Sequence, residues 1–214
     1  MMATLDPAEL GESRRYGLLI GAIVPRPIAV VGSVDRAGRP NLAPFSFFTG
    51  ISAEPFLVAF CPANHENGGE KDTMANAKPV AEGGTGCFSI GLATESNVRR
   101  VVACSERLAP GESEFALSGL TPVACERIAA PRFAETPVAF ECETLEVRRF
   151  APGVPDGGNL VIGRVVLLHV VDDVLDGRRI DPARLAAVGR MGGSSYVRTG
   201  DLFDLPRGRA ALGT

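Results

Sequence analysis

The stretch PRPIAVVGSVDRAGRPNLAPFSFFTGISAEPFLVAFCP, Pro25 to Pro62, restricts what this chain can fold into more than any other. It predicts three short strands. PIAVVGSV is apolar and β-branched, DRAGRPN is a turn cluster, and FLVAFC returns to a buried-strand pattern. Between them NLAPFSFF sets two small polar residues and three aromatics around Pro44. Proline has no N–H to donate, so Pro44 is expected to interrupt the ladder and free neighbouring backbone groups. With KDT at Lys71 to Thr73, the pattern points to a β-barrel whose rim holds a flat, phosphorylated molecule.

A chain of 214 residues lies within the range of one all-β domain and can bury a substantial core. Gly (25) and Pro (16) suit many short strands joined by tight turns, so the expected class is mainly β with a few peripheral helices. A single domain over 1–214, with its core at about 16–201 and a polar C-terminal tail, is the economical organisation. The net charge of −3 gives no electrostatic case for nucleic acid or an anionic membrane. The N-terminus lacks the basic-then-apolar layout of a signal peptide, and no apolar run reaches the length of a membrane span. Five cysteines with no CxxC pair speak against a disulfide framework or a zinc site. Cys61, Cys87 and Cys142 read as small core residues in a reducing cytoplasm.

Asp6-Pro7-Ala8-Glu9 has the grammar of a helix start and predicts a helix to about Leu19. HENGGE is a polar loop, DTMANA a short helix ended by Lys78-Pro79, and GCFSIGL a strand. TESNVRRVVACSE predicts a helix capped by Thr94, with Val98, Val101 and Val102 on one face. The segment from Arg107 to Ala134 reads as irregular, with one helical turn near Glu112 to Leu117. Two long strands, Pro137 to Phe150 and Asn159 to Asp172, read as a hairpin whose first arm bulges near Thr144. Asp181-Pro182 marks a further helix start.

Hydrolytic machinery is missing: there is no G-x-S-x-G elbow and no HExxH pair. The Gly83–Gly86 run lacks the spacing of a phosphate loop and precedes a strand, so it is a turn. The parts that flavin mononucleotide (FMN) would need are present. Lys71, Asp72 and Thr73 at a helix start offer an ammonium, a hydroxyl and free N–H groups to a phosphate. Read by spacing alone, Asp72 is simply the helix cap and Lys71 a solvated cation. Asn41 and Ser46 offer polar groups to a ring edge, and Phe47 or Phe48 an apolar face; alternating aromatics are equally ordinary core.

Seven fragments in order carry a resemblance: PRPIAVVGSVD..G..NLAPFSFF, LVAFCP, GGEKDTMANA, GLTP, ETPVAFEC, IGRVVLLHV and GRMGGSSYVR. From about Tyr16 to Asp201 the chain resembles the flavin reductase-like family of FMN-binding split β-barrels. The resemblance implies a Greek-key-like antiparallel barrel, usually a homodimer with FMN near the subunit interface. It implies Arg26 on the phosphate side, Asn41, Ala43, Ser46 and Phe47 along the ring, and Lys71, Asp72 and Thr73 at the phosphate. Cys61 and Pro62 stand where the family often has Ser-Pro, so a serine contact is lost. It also implies that Arg190 and Tyr196 approach a flavin held mainly by the other subunit. His169 matches a recurrent strand histidine, for which a hydrogen bond within the sheet is the commoner outcome.

The implied activity is hydride transfer from NADH or NADPH to flavin, often supplying a partner monooxygenase. The cofactors carry such chemistry and the protein orients them, which explains the missing acid–base set. FAD in place of FMN is compatible with the same residues. Rival readings are an FMN electron carrier (flavoredoxin-like) and a flavin-binding protein without turnover.

Overall fold

The computed structural model describes residues 1–109 and 112–213. Its centre is a seven-stranded antiparallel sheet. In chain order the strands are β1 (Ala29–Val34), β2 (Pro40–Phe45), β3 (Phe48–Ala53), β4 (Phe56–Phe60) and β5 (Cys87–Leu92). After a short ladder, β6 (Pro122–Val123) with β7 (Arg132–Phe133), come the long strands β8 (Val138–Arg149) and β9 (Asn159–Val170). Two further small ladders follow, β10 (Leu175–Asp176) with β11 (Arg179–Ile180), and β12 (Val188–Arg190) with β13 (Tyr196–Arg198).

The sheet order is β2-β1-β5-β8-β9-β4-β3, so its two edge strands are neighbours in sequence. Laid flat, seven strands at about 4.8 Å spacing would hold those edges roughly 29 Å apart. Only Ser46 and Phe47 separate β2 from β3, and the step from Phe45 to Phe48 spans at most about 11 Å. The sheet therefore curls until its edges meet. The product is a barrel with a seam between β2 and β3.

Period-2 alternation fills the interior. Ala29 and Val31 of β1, Phe45 of β2, Val58 and Phe60 of β4, Phe88 and Ile90 of β5, Cys142 of β8 and Val161 of β9 form one cluster. The Phe60 ring lies 5.1 Å from those of Phe45 and Phe88. Gly163 makes room for this trio, since a Cβ there would sit 2.4 Å from Cζ of Phe88. The alternate residues Val30 and Leu42 face outward onto a second cluster. It includes Val101 and Cys104 at α3 (Val98–Ala103), Phe115 of α4 (Glu114–Ser118), and Phe133. Strand β1 is thus buried on both faces, which accounts for its unbroken apolar run.

The structure corrects several expectations. NLAPFSFF is two elements: β2 ends at Phe45, and β3, FTGISA, is a fourth strand whose polar composition hid it. Pro44 does not break the ladder, because Val30 pairs with Pro44 and Ala29 with Phe45. The N–H of Leu42, two residues earlier, points away from β1 to Oε2 of Glu114 (3.4 Å). Pro44 shares that outward phase, so its missing N–H costs no ladder bond. The N-terminal helix is two pieces. A 3-10 turn, Pro7–Glu9, is capped by Oδ1 of Asp6 accepting from Ala8 N (2.9 Å), and α1 (Glu12–Ala22) starts afresh after an extended Gly11. Helix α3 begins at Val98 because the Asn97 side chain accepts the Thr94 N–H (2.8 Å) and holds 94–97 in a turn. In the segment 107–134 the expected helical turn is present as α4, whereas the β6–β7 ladder was not expected.

Helix α2 (Asp72–Ala77), the long hairpin with its register shift at Thr144/Glu146, and α5 (Pro182–Leu185) capped by Asp181 match the sequence reading. Among the described residues no helix is long and apolar enough to cross a membrane.

Replacing Phe60 by Ala removes the middle ring of the barrel interior and is expected to cost about 3–5 kcal/mol, measured by chemical denaturation. A loss below 1 kcal/mol would show that the interior collapses around the gap.

Candidate functional site

Strand β2 is the spine of the candidate site, and its two ends carry different chemistry. Asn41 to Ser46 is five residues, roughly 17 Å at strand rise.

At the Asn41 end, helix α2 plugs the barrel. Ala77 joins the interior cluster, and buried polar side chains seal the contact. Nδ2 of Asn41 donates to Oγ1 of Thr73 (2.9 Å) and Oγ of Ser33 (3.1 Å), and Nδ2 of Asn76 also donates to Ser33 (3.2 Å). The last carbonyls of α2 accept from Oγ1 of Thr85 (3.0 Å) and Oγ1 of Thr144 (2.6 Å). The first turn is left open. Lys71, not Asp72, is the N-cap residue, and it supplies no side-chain cap. Among the described residues the Lys71 ammonium has neither ion pair nor hydrogen bond, and the N–H groups of Asp72 and Thr73 have no acceptor. Thr73 is buried and its hydroxyl accepts from Asn41, which leaves its own hydrogen free to donate.

Acids lie nearby. Burial pushes the Glu114 carboxyl up; backbone N–H groups, that of Leu42 among them, pull it partway back, and Asp72 adds to the rise.

At the Ser46 end stands Arg26, a residue only 4% exposed. Its Nη1 donates to the carbonyls of Ile20 (2.7 Å) and Ile23 (3.0 Å), its Nη2 to Met191 (3.1 Å), and its Nε to Oγ of Ser46 (3.3 Å). One Nη2 hydrogen remains without an acceptor among the described residues. The resemblance implies Arg26 on the phosphate side. The structure puts it at the end of β2 opposite Lys71, because it precedes Ala29, which pairs with Phe45. Burial lowers its pKa, Tyr16 opposes that shift, and Arg190 reinforces it.

Arg26 and Arg190 exchange backbone hydrogen bonds (2.9 and 2.8 Å), which brings the β12–β13 hairpin to the same end. Within that hairpin the Arg190 guanidinium lies 4.5 Å from the Tyr196 ring centroid, and its Nη1 donates to the Tyr196 hydroxyl. The Phe47 ring lies 5.7 Å from the Arg26 guanidinium carbon.

Between the ends, Ala43 packs on the barrel interior, and the N–H of Cys61 donates to the Phe47 carbonyl (2.8 Å). Burial pushes the Cys61 thiol up, so it stays protonated. The structure thus joins Asn41 to Thr73 beside Lys71 and Asp72, and joins Arg26, Ser46, Phe47, Arg190 and Tyr196. It does not bring the two groups together.

His169 belongs to neither. Its Nε2 lies 2.6 Å from Oε1 of Glu141, a carboxylate with no exposed surface. Glu141 also accepts the N–H groups of Glu126 (2.8 Å) and Arg127 (2.7 Å). Burial alone would raise its pKa, but the N–H of Glu126, His169 and the N–H of Arg127 together hold it below the usual carboxylate range. This anchor pins the 124–131 loop to β8. Sequence reasoning missed Glu141, Ser33, Asn76 and Glu114. The signal for the first two was a polar residue inside an apolar strand.

Residues 21–184 match the family model described as a flavin reductase like domain. A protein of Halalkalibacterium halodurans is 37% identical over 210 residues, 95% of each chain. Nitrilotriacetate monooxygenase component B from Bacillus cereus superposes with a TM-score of 0.88 at 33% identity, over 96% of this chain and 99% of that one. A split barrel domain protein from Shewanella frigidimarina superposes with a TM-score of 0.78 at 24% identity, over 94% and 96% of the two chains, a likeness of fold.

Two outcomes test these assignments. Arg26→Met deprives four acceptors of a charged donor and is expected to release α1, read as faster proteolysis between Glu12 and Val24; unchanged cleavage would contradict the staple. Glu141→Gln is expected to cost about 1–3 kcal/mol at pH 7, because an amide cannot accept from all three donors. The wild-type carboxyl is depressed on folding, so its contribution is present above the unfolded pKa of about 4.3 and lost as pH falls through the folded value. The variant should therefore lose less stability than wild type on acidification below that point, in denaturation curves at pH 7 and pH 3. Parallel pH dependences would refute the anchor.

Proposed function

The chain belongs to the flavin reductase-like family, and from that membership we propose that it is an FMN-binding oxidoreductase reducing flavin with hydride from NADH or NADPH. The observation that carries the reading is the polarity of β2. An open, cationic, N–H-rich corner lies at one end, and an aromatic and guanidinium corner lies roughly 17 Å away at the other. The donor set suits a ligand with an anionic tail and a flat, hydrogen-bonding head. When bound, FMN would supply the hydride-accepting ring.

The residues divide the work. Lys71 with the N–H groups of Asp72 and Thr73 would hold the phosphate, and Asn41 fixes Thr73 in place. Ala43 presents no side chain large enough to block a ring laid along β2. Ser46, oriented by Arg26, would meet the ring edge, and Phe47 would cover it from water. Arg190, braced on Tyr196, stands at the Ser46 end of its own chain's β2 and would favour negative charge at that edge, in place of the approach to the other subunit's flavin that the resemblance implies. Cys61, a protonated thiol, adds bulk without charge. One domain, with its core at about residues 16–201, carries this site.

A homodimer is part of the same reading. Tyr16, Leu18, Leu19 and Ile23 of the α1 segment are all exposed, and none of the α1 residues is buried. So much uncovered apolar surface is an interaction signature. The similarity to a monooxygenase component B supports a role in supplying reduced flavin to a partner monooxygenase in the cytoplasm.

Lys71→Ala should weaken FMN binding by about 1.5–3 kcal/mol in a fluorescence titration, with unchanged folding. Unchanged affinity would remove Lys71 from the site. Anaerobic mixing of the flavin-loaded protein with NADH and with NADPH should bleach its visible absorbance with at least one donor. No bleaching with either would overturn the reductase and leave a carrier that takes electrons from another protein or a flavin binder without turnover.

A further inference from the structure

A groove of about 490 Å³ runs between α3 and the β12–β13 hairpin. Spacing along α3 supplies one wall. Val98 and Val102 share a face at helical spacing, while Val101 turns inward to the second cluster. Val188 and Val197 of the hairpin complete an apolar floor, and Tyr196 also lines it. The charged lining residues Glu95, Arg99 and Arg198 are all exposed. Glu95 is matched by Arg198 (2.8 Å), and Arg100, next along α3, by Glu135 (3.0 Å). Arg99 has neither ion pair nor hydrogen bond among the described residues. The uncompensated charge of the groove is therefore positive.

We propose that this groove takes the adenosine end of the nicotinamide donor, and that Arg99 selects NADPH over NADH by binding its 2′-phosphate. This deepens the reductase reading above and rests on it. Every ladder among the described strands is antiparallel, so they contain no βαβ unit whose glycine-rich turn could hold a dinucleotide. The adenosine half of a donor must be held elsewhere, and the groove is placed for it. Val188 is two residues, roughly 7 Å at strand rise, from Arg190. Arg190 exchanges backbone hydrogen bonds with Arg26, whose Nε donates to Ser46. The groove thus adjoins the corner assigned to the flavin ring edge, and a nicotinamide there would leave its adenosine over the valines.

The chemistry fits the same ligand. An apolar floor with few polar groups is the usual lining of a small-molecule site. Adenine is flat and weakly polar on its faces, which suits valine side chains. A guanidinium offers parallel N–H donors to phosphate oxygens, and Arg99 has no carboxylate to leave first. Glu95, already held by Arg198, sets no unpaired negative charge against that phosphate.

The test is anaerobic bleaching of the flavin-loaded full chain with NADPH and NADH in turn. NADPH is expected to half-saturate the wild type at a concentration lower by about tenfold or more. Arg99→Met should bring the two donors level. Val102→Trp, at an exposed position of α3, fills the floor and should raise the half-saturating concentration of both. A preference for NADH, a preference for NADPH that survives Arg99→Met, or donors indifferent to Val102→Trp each overturns the proposal. Calorimetric titration with NADP⁺, which has no hydride to give, reads the groove without turnover. Saturable binding that Arg99→Met abolishes is expected, and no binding to the wild type overturns the assignment. Bleaching by neither donor while NADP⁺ still binds through Arg99 would defeat the reductase reading and uphold the groove.

Discussion

Two residues, Ser46 and Phe47, link the opposite edges of a seven-stranded sheet, and this short tether governs the rest of the molecule. An open sheet cannot satisfy it, so the sheet must close. Closure turns the alternate residues of seven strands onto one another, and the Phe45–Phe60–Phe88 row is the result. It also leaves a seam, because β2 and β3 are joined by chain and not by a ladder. The candidate site lies along that seam. A closed ladder would consume every backbone group there, whereas the seam leaves the outer edge of β2 open, with Leu42 N–H already turned to Glu114.

The ends of this edge are organised by groups with no freedom of their own. Arg26 is buried, yet its charge is spread over four oxygen partners from three separated stretches of chain. A lysine has one head and could not span them; the planar fork can. Such a cation is costly to bury alone and is tolerated because its donors are nearly all satisfied. It therefore couples α1, the Met191 turn and Ser46 into one unit. At the other end, Thr73 is fixed by Asn41 and so cannot relax around an incoming ligand, whereas Lys71 can. The KDT tripeptide thus splits into a rigid member and a mobile one.

What the sequence disclosed follows from which forces are local. Strands β1, β4, β5, β8 and β9 announced themselves because two-sided or alternating burial writes itself into composition. Helix α2 and α5 showed through their flanking Lys78-Pro79 and Asp181-Pro182. Strand β3 was hidden: FTGISA is largely exposed at one edge and carries no apolar signature. Pro44 was misread because the phase of a strand relative to its neighbour is a tertiary fact. Asn41, Thr73 and Lys71 were legible as a set only through family resemblance, since 32 residues of sequence separate the amide from the hydroxyl it meets. The position of Arg26 was not legible at all, because three of its four acceptors are main-chain carbonyls, which every residue possesses.

The same logic explains why His169, a residue that invites a catalytic role, is better understood as structure. A buried carboxylate needs donors, and Glu141 draws them from two backbone amides and the imidazole. The arrangement fixes a loop against β8 on a face that shares no side-chain hydrogen bond with Asn41, Lys71 or Ser46 among the described residues. Neighbouring Cys125 completes a constellation that looks nucleophilic on paper. Burial, with Glu141 adding to it, pushes that thiol up to about 12, so it is not an available nucleophile at neutral pH. A barrel that offers only shape, donors and charge at that edge can serve hydride chemistry without an acid–base set of its own.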